Sequence, residues 1–243
     1  MKKVDIFGVE FAATTYSEAT HVIINEAQQR NSFAVFALPV HGVIESRTDR
    51  AFSKALQSAD LIVPDGQPIK WAMNYFYKTN LQDRVYGPLL VSRLLERANQ
   101  EKLRVFLYGG STAEVLGDFK AQIENQYPQL TICGAYREQH LSQNTLDADQ
   151  INAAGAHIVL VGLGCPVQEK WIANNKGQVN AAMIGVGAAF SFISGHTQMA
   201  PSWMQKRGLE WLYRLYREPG RLWRRYLYTN SYFIWLLIKK IAK

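Results

Sequence analysis

Six short apolar runs, separated by stretches of helical periodicity, constrain the fold of this chain more than any other feature. The runs lie at 33–38, 61–64, 105–108, 131–135, 158–161 and 182–185. Between them, 42–59, 68–77, 89–100, 112–127 and 167–175 carry apolar residues at intervals of three and four, as helices with one buried face do. Strands joined by helices of this length do not pair as hairpins; right-handed crossovers bring them side by side and parallel. The expectation is an α/β fold over residues 1–200, with a Rossmann-like, mostly parallel sheet flanked by helices. Ligands of such sheets bind outside the carboxyl ends of the strands. That rule selects the loops 39–42, 64–67, 109–112, 162–169 and 185–189.

After residue 200 the texture changes. Residues 203–243 hold ten Lys and Arg against Glu210 and Glu218 alone, a charge of +8, so the whole formal excess of +7 comes from there. Trp211, Tyr213, Tyr216, Trp223, Tyr226 and Trp235 are interleaved with the cations. The segments 203–218 and 221–238 read as helices interrupted by Pro219-Gly220, and Arg214, Arg217, Arg221 and Arg224 follow at helical spacing. Cations mixed with Trp and Tyr suit the headgroup zone of an anionic membrane. They also suit nucleic acid, but the α/β body gives that partner no support. The longest apolar run, 232–238, is far shorter than the roughly 20 residues of a spanning helix. Residues 201–243 are therefore expected to form a helical, membrane-associating appendage, peripheral to the cytoplasmic face of the membrane. A second copy of the chain is another cover that such an exposed aromatic surface suggests. No stretch reads as a secretion signal, and Cys133 and Cys165 show no pairing pattern, which fits a reducing compartment.

The selected loops carry the unusual residues. Asp65 follows an apolar strand and precedes a helix, where a carboxylate serves either as a general base or as a helix N-cap. Gly109, Gly110 and Ser111 lie between strand and helix, the place of a phosphate cradle, without the Gly-Lys-Ser/Thr of a Walker loop. Gly185-Val186-Gly187 is half of a dinucleotide fingerprint, and tight turning explains it equally well. In 162–171 a glycine turn leads through Pro166 into Gln168, Glu169, Lys170 and Trp171, where Gln168 suits a uracil, ribose or sugar hydroxyl. Asp147-Ala148-Asp149 matches the Asp-x-Asp of metal-dependent sugar transferases but sits where helix caps are expected. With His41, His157 and His196 isolated in sequence, neither a metal nor another cofactor is expected.

Seven blocks occur together in order: Pro64-Asp65-Gly66, Arg84-Val85-Tyr86-Gly87-Pro88, 161–171, 185–190, 200–205, 208–215 and 218–226. In combination they resemble the WecG/TagA/CpsF glycosyltransferases of bacterial surface-polymer synthesis, from about residue 5 to 228. The resemblance implies inverting transfer of N-acetylmannosamine, or a related hexose or uronic acid, from a UDP donor to a polyprenyl-diphosphate-linked sugar. It places the base at Asp65, a donor-site residue at Gln168, and the arginines that close over the diphosphate at Arg214, Arg221 and Arg224. Arg84 and Gly187, within the blocks, join Gly109, Gly110 and Ser111 as expected substrate-binding residues. Arginine in place of a metal ion neutralises a departing diphosphate. Three departures touch the implied donor pocket. Ala37 and Pro39 stand where the family often has Thr and Asn, Pro88-Leu89-Leu90 where an Asp is usual, and Ser191 where many relatives have Asp. A catalytically degenerate module that binds UDP or lipid phosphate is the alternative these departures leave open.

Overall fold

The computed structural model describes residues 1–137 and 148–242, with the side chain of Arg221 excepted. In chain order the elements are β1 (Lys3–Ile6), β2 (Val9–Ala12), α1 (Tyr16–Gln28), β3 (Phe33–Leu38), α2 (Val40–Glu45), α3 (Arg50–Gln57), β4 (Leu61–Pro64) and α4 (Gln67–Tyr77). There follow α5 (Gly87–Gln100), β5 (Arg104–Gly109), α6 (Ala113–Gln126), β6 (Thr131–Tyr136), α7 (Ala148–Ala153), β7 (Ile158–Gly162), α8 (Val167–Asn175), β8 (Ala182–Gly185) and α9 (Ala189–Ile193). The tail forms α10 (Ser202–Lys206), α11 (Glu210–Arg217) and α12 (Pro219–Ile241).

Strands β3 to β8 form a six-stranded sheet in the order β4-β3-β8-β7-β5-β6, parallel throughout. Both faces are covered, which is why its inner strands are continuous apolar runs rather than alternating ones. Successive residues of β3 still serve opposite layers. Phe36 and Leu38 join Phe52, Met73, Tyr108 and Met183 on one side, while Val35 and Ala37 join Leu94, Leu107, Phe119 and Ile184 on the other. The α/β expectation holds, and the six strands fall where the apolar runs put them.

The helices differ in two places. The stretch 42–59 is two helices: the first ends at Glu45 with Ser46 as its cap, and Asp49 caps the second by accepting from the Phe52 amide at 2.9 Å. The stretch 203–218 is also two, divided at Gly208, whose φ of +71° no helix interior permits. The break at Pro219 is real but short, with Pro219 opening α12. The antiparallel hairpin β1–β2 and helix α1 were unread in the sequence, although Thr15 and Glu18 form a reciprocal capping box at the start of α1.

Helix α12 packs against α2. Leu222, Thr229, Phe233 and Leu236 are buried along its inner side, and the Phe233 ring meets Phe7 of the hairpin edge-on at 5.5 Å. Near its end, Lys240 Nζ donates to Tyr77 Oη at 3.1 Å and sits 4.6 Å from the centre of the Phe76 ring. Trp223, Leu227, Ile234, Trp235, Ile238 and Ile241 form an exposed outer ridge. Among the described residues no helix is long and apolar enough to cross a membrane.

Candidate active site

Two adjoining clefts open at the carboxyl edge of the sheet. The first, of 350 Å³, runs between the loops after β3, β4, β7 and β8 and the tail helices α11 and α12. The second, of 670 Å³, lies over Gly110, Ser111 and the Gly162–Gly164 turn and is closed by the start of α9 and by α11. Gly164, Gly187, Ala188 and Arg214 border both. Both clefts lie at the edge of the sheet that the loop rule selected.

Asp65 lines the first cleft. It is not a helix cap: Gly66 holds that position in α4, without a side-chain bond. Its carboxylate instead sits at the head of α5, where a Cβ on Gly87 would stand 3.5 Å from Oδ2. Burial raises the Asp65 pKa to about 7, against the pull of Arg84, the Gly87 amide and Arg214, with Glu210 adding to the rise. A carboxylate that titrates near neutrality is suited to taking a proton at working pH.

Arg84, expected to bind substrate, is buried and donates from Nη2 to Glu210 Oε2 of α11. Its guanidinium lies 4.4 Å from the centre of the Tyr86 ring. Gln168 is likewise committed. Its Oε1 accepts from the amides of Gly164 at 3.2 Å and Gly187 at 2.9 Å, and its Nε2 donates to Glu169 Oε1 at 2.8 Å. Gln168 therefore ties the β7–α8 and β8–α9 turns together in the wall of the first cleft. Gly187 takes φ +55° in that turn.

The glycines after β5 are required by geometry. Gly109 has φ +104°, and a Cβ there would stand 2.8 Å from the Gly162 backbone. The Gly110 amide donates to Gly162 O at 3.0 Å, so it is not free for phosphate as the sequence suggested. Ser111 remains on the rim of the second cleft, its Oγ 3.3 Å from Ser191 Oγ.

The arginines separate by helical angle. Arg214 faces both clefts, with its guanidinium over Phe192 at 5.4 Å. Arg224 is exposed, stacks on Trp223 and lines neither cleft. Its neighbour Arg225, which the spacing argument passed over, lines the first. Among the described residues neither Arg214 nor Arg225 forms an ion pair with a carboxylate. The side chain of Arg221 lies outside the described part.

Residues that the sequence did not single out complete the first cleft. His41 faces Arg225, and burial together with that cation lowers its pKa to about 4, keeping it neutral. Glu169 is buried beside Cys165, and burial pushes its carboxyl pKa up. His41 Nδ1, Gln67 Oε1, Glu169 Oε2, Arg214 Nε and Arg225 Nε, all in lining residues, have no hydrogen-bond partner within the protein. Buried polar atoms are normally paired, so this wall offers both donors and acceptors to a polar ligand. A buried Glu and an inward Arg adjacent to an outward one leave no periodic trace in sequence.

The departures fall on the same surfaces: Ala37, Pro39 and Pro88 line the first cleft and Ser191 the second. Leu89 points to solvent. The histidines are not all isolated. His196 Nε2 lies 2.7 Å from Asp118 Oδ2, and with Glu114 they bring ligand atoms within 4.8 Å of one another on an exposed surface. Asp147 of the Asp-x-Asp pattern lies outside the described residues. Both cysteines are free.

A near-neutral carboxylate and unpaired arginines at the carboxyl edge of a parallel sheet are groups that transfer to or from an anionic substrate can use. The chain belongs to the glycosyl transferase WecG/TagA/CpsF family, whose model matches residues 4–243. It is 37% identical over 190 residues to the N-acetylglucosaminyldiphosphoundecaprenol N-acetyl-beta-D-mannosaminyltransferase of Bacillus subtilis (strain 168), covering 78% of this chain and 73% of that protein. To the protein of the same name from Bacillus spizizenii (strain ATCC 23059 / NRRL B-14472 / W23) it is 34% identical over 206 residues, covering 84% and 78%.

Proposed function

We propose that this glycosyltransferase moves N-acetylmannosamine, or a closely related hexose, from a UDP donor to N-acetylglucosamine carried on a polyprenyl diphosphate. The names of the two relatives support the acceptor and the sugar. The observation that carries the mechanism is Asp65, raised to a pKa of about 7 and open to a cleft that Arg214 and Arg225 border.

Asp65 takes the proton of the acceptor hydroxyl as its oxygen attacks the anomeric carbon. The bond from that carbon to the diphosphate breaks in the same displacement, inverting the centre, and UDP departs with the electron pair. Arg214, at the seam of the two clefts, neutralises the charge developing on the leaving diphosphate. Arg225 and neutral His41 serve the acceptor's diphosphate at the tail side of the first cleft. Gln168 positions both loops. On this reading no metal is needed, and the outer ridge of α12 with Lys239 beside Trp235 rests on the cytoplasmic membrane surface.

The test is release of UDP from a panel of UDP-sugars with a short-chain polyprenyl-diphosphate-N-acetylglucosamine acceptor, with and without EDTA. Acceptor-dependent release that survives EDTA and disappears in Asp65→Asn is the expected result. Loss with EDTA would assign a role to the Glu114, Asp118 and His196 cluster on α6 and the α9–α10 loop, and remove the metal-free mechanism. UDP binding without release for any donor would favour the degenerate module.

A further inference from the structure

Glu210 is one of the two acids of the basic tail and is buried, with a relative exposure of 9%. Its carboxylate receives the Arg84 guanidinium, and its charge helps to raise the pKa of the Tyr86 phenol. The pair bridges 126 residues of sequence, from the segment before α5 to α11. As a stabiliser such a pair is a poor device, because desolvating two ions offsets most of their attraction and apolar residues serve as well. Its place supplies a better reason. Arg84 is also the cation with the largest downward pull on Asp65. Asp65, Arg84 and Glu210 line the same cleft, so one guanidinium acts on two carboxylates, one on the body and one on the tail. The other groups that act on Asp65 are the Gly87 amide and Arg214 of α11. Tyr16 of α1 and Tyr86 face it as neutral phenols, both with pKa values pushed up by burial.

We propose that Glu210 is the positioning residue of the base: by engaging Arg84 it keeps that guanidinium from closing an ion pair on Asp65, so the base is available only while α11 is docked. The inference rests on the reading of Asp65 as the base, and it makes the tail a determinant of reactivity in the body.

The experiment follows the Asp65 carboxyl by carbon-13 NMR titration in the full chain, alongside the pH profile of kcat/KM for UDP release. In Glu210→Gln, which keeps the shape and removes the charge, Arg84 turns to Asp65. Its titration midpoint falls by about one pH unit or more, the scale of one close charge. The acid limb of the profile moves with it, and the plateau drops on the order of tenfold because a weaker base takes the proton. Donor KM stays as in the wild type. Glu210→Asp keeps the wild-type midpoint. Arg84→Gln raises the midpoint above wild type, and the double variant follows Arg84→Gln rather than Glu210→Gln, so the failure of one variant to fold leaves the others decisive. An unchanged Asp65 midpoint in Glu210→Gln, with or without a loss of rate, overturns the proposal and leaves Glu210 a structural residue. Absence of transfer in the wild type would instead remove the base reading, and the Asp65 titration would still decide what Glu210 does to the carboxyl.

Discussion

A carboxyl group whose folded-state pKa is about 7 holds a proton through a range where the unfolded chain, with an ordinary Asp pKa near 4, has lost it. Between those values the native state binds more protons than the unfolded state, so the contribution of Asp65 to stability falls as pH rises. Below about pH 4 both states are protonated and the penalty is absent; above about 7 it is complete. Asp65→Asn should therefore melt at a higher temperature than wild type at pH 8, with the gain shrinking to nothing near pH 4, as thermal unfolding across pH will read. The same change should lower turnover by about 10²–10⁴, the usual worth of a general base. Gln168→Leu leaves the amides of Gly164 and Gly187 and the Glu169 carboxyl without their partner. A loss of about 2–4 kcal/mol is expected, with faster hydrogen exchange at those two amides. Asp65 and Gln168 drew attention in the sequence because each sits in a compact local motif. Glu210 did not, because its meaning lies in an arginine 126 residues away.

At the level of elements, the sheet was readable because a strand covered on both faces has to be apolar throughout. β1 and β2 were unread because four residues each, Lys3–Ile6 and Val9–Ala12, are too few to show a period and carry charges at Lys3, Asp5 and Glu10. Helix lengths were overestimated where a new N-cap or a left-handed glycine interrupts a continuing apolar pattern, as at Asp49 and Gly208. The turn between β5 and α6 gives a direct check. Gly109→Ala places a Cβ 2.8 Å from the Gly162 backbone at a φ of +104°. A cost of about 1–3 kcal/mol should lower Tm by roughly 2–10 °C, and the displaced Ser111 loop should raise donor KM, as melting curves and steady-state kinetics will show.

For the whole molecule, the division at residue 200 describes composition better than packing. The tail is chemically distinct, yet Leu222, Thr229, Phe233 and Leu236 belong to the buried interior and α11 and α12 wall the first cleft. Charge alone separated body from tail; the expectation that they share one site came from the resemblance, which set Arg214, Arg221 and Arg224 against Asp65. The outer ridge offers the corresponding test. Leu227→Glu with Ile234→Glu changes two side chains that are 65% and 55% exposed, so unfolding temperature should stay within a few degrees of wild type. Binding to vesicles containing anionic phospholipid should be lost, measured by sedimentation, while UDP release with a short-chain, water-soluble acceptor is retained.

Helix α12 presents Arg225 and Thr229 to the cleft and Leu227 and Ile234 to the outside. The two surfaces are thus separated by the width of one helix, about 10–12 Å with its side chains. A substrate whose greasy end is confined to a plane against the ridge can present its polar end to the cleft without leaving that plane. Encounter then becomes a walk in two dimensions. The quantity that sets its frequency is the number of acceptor molecules per unit area, and diluting the protein in bulk solution leaves it unchanged.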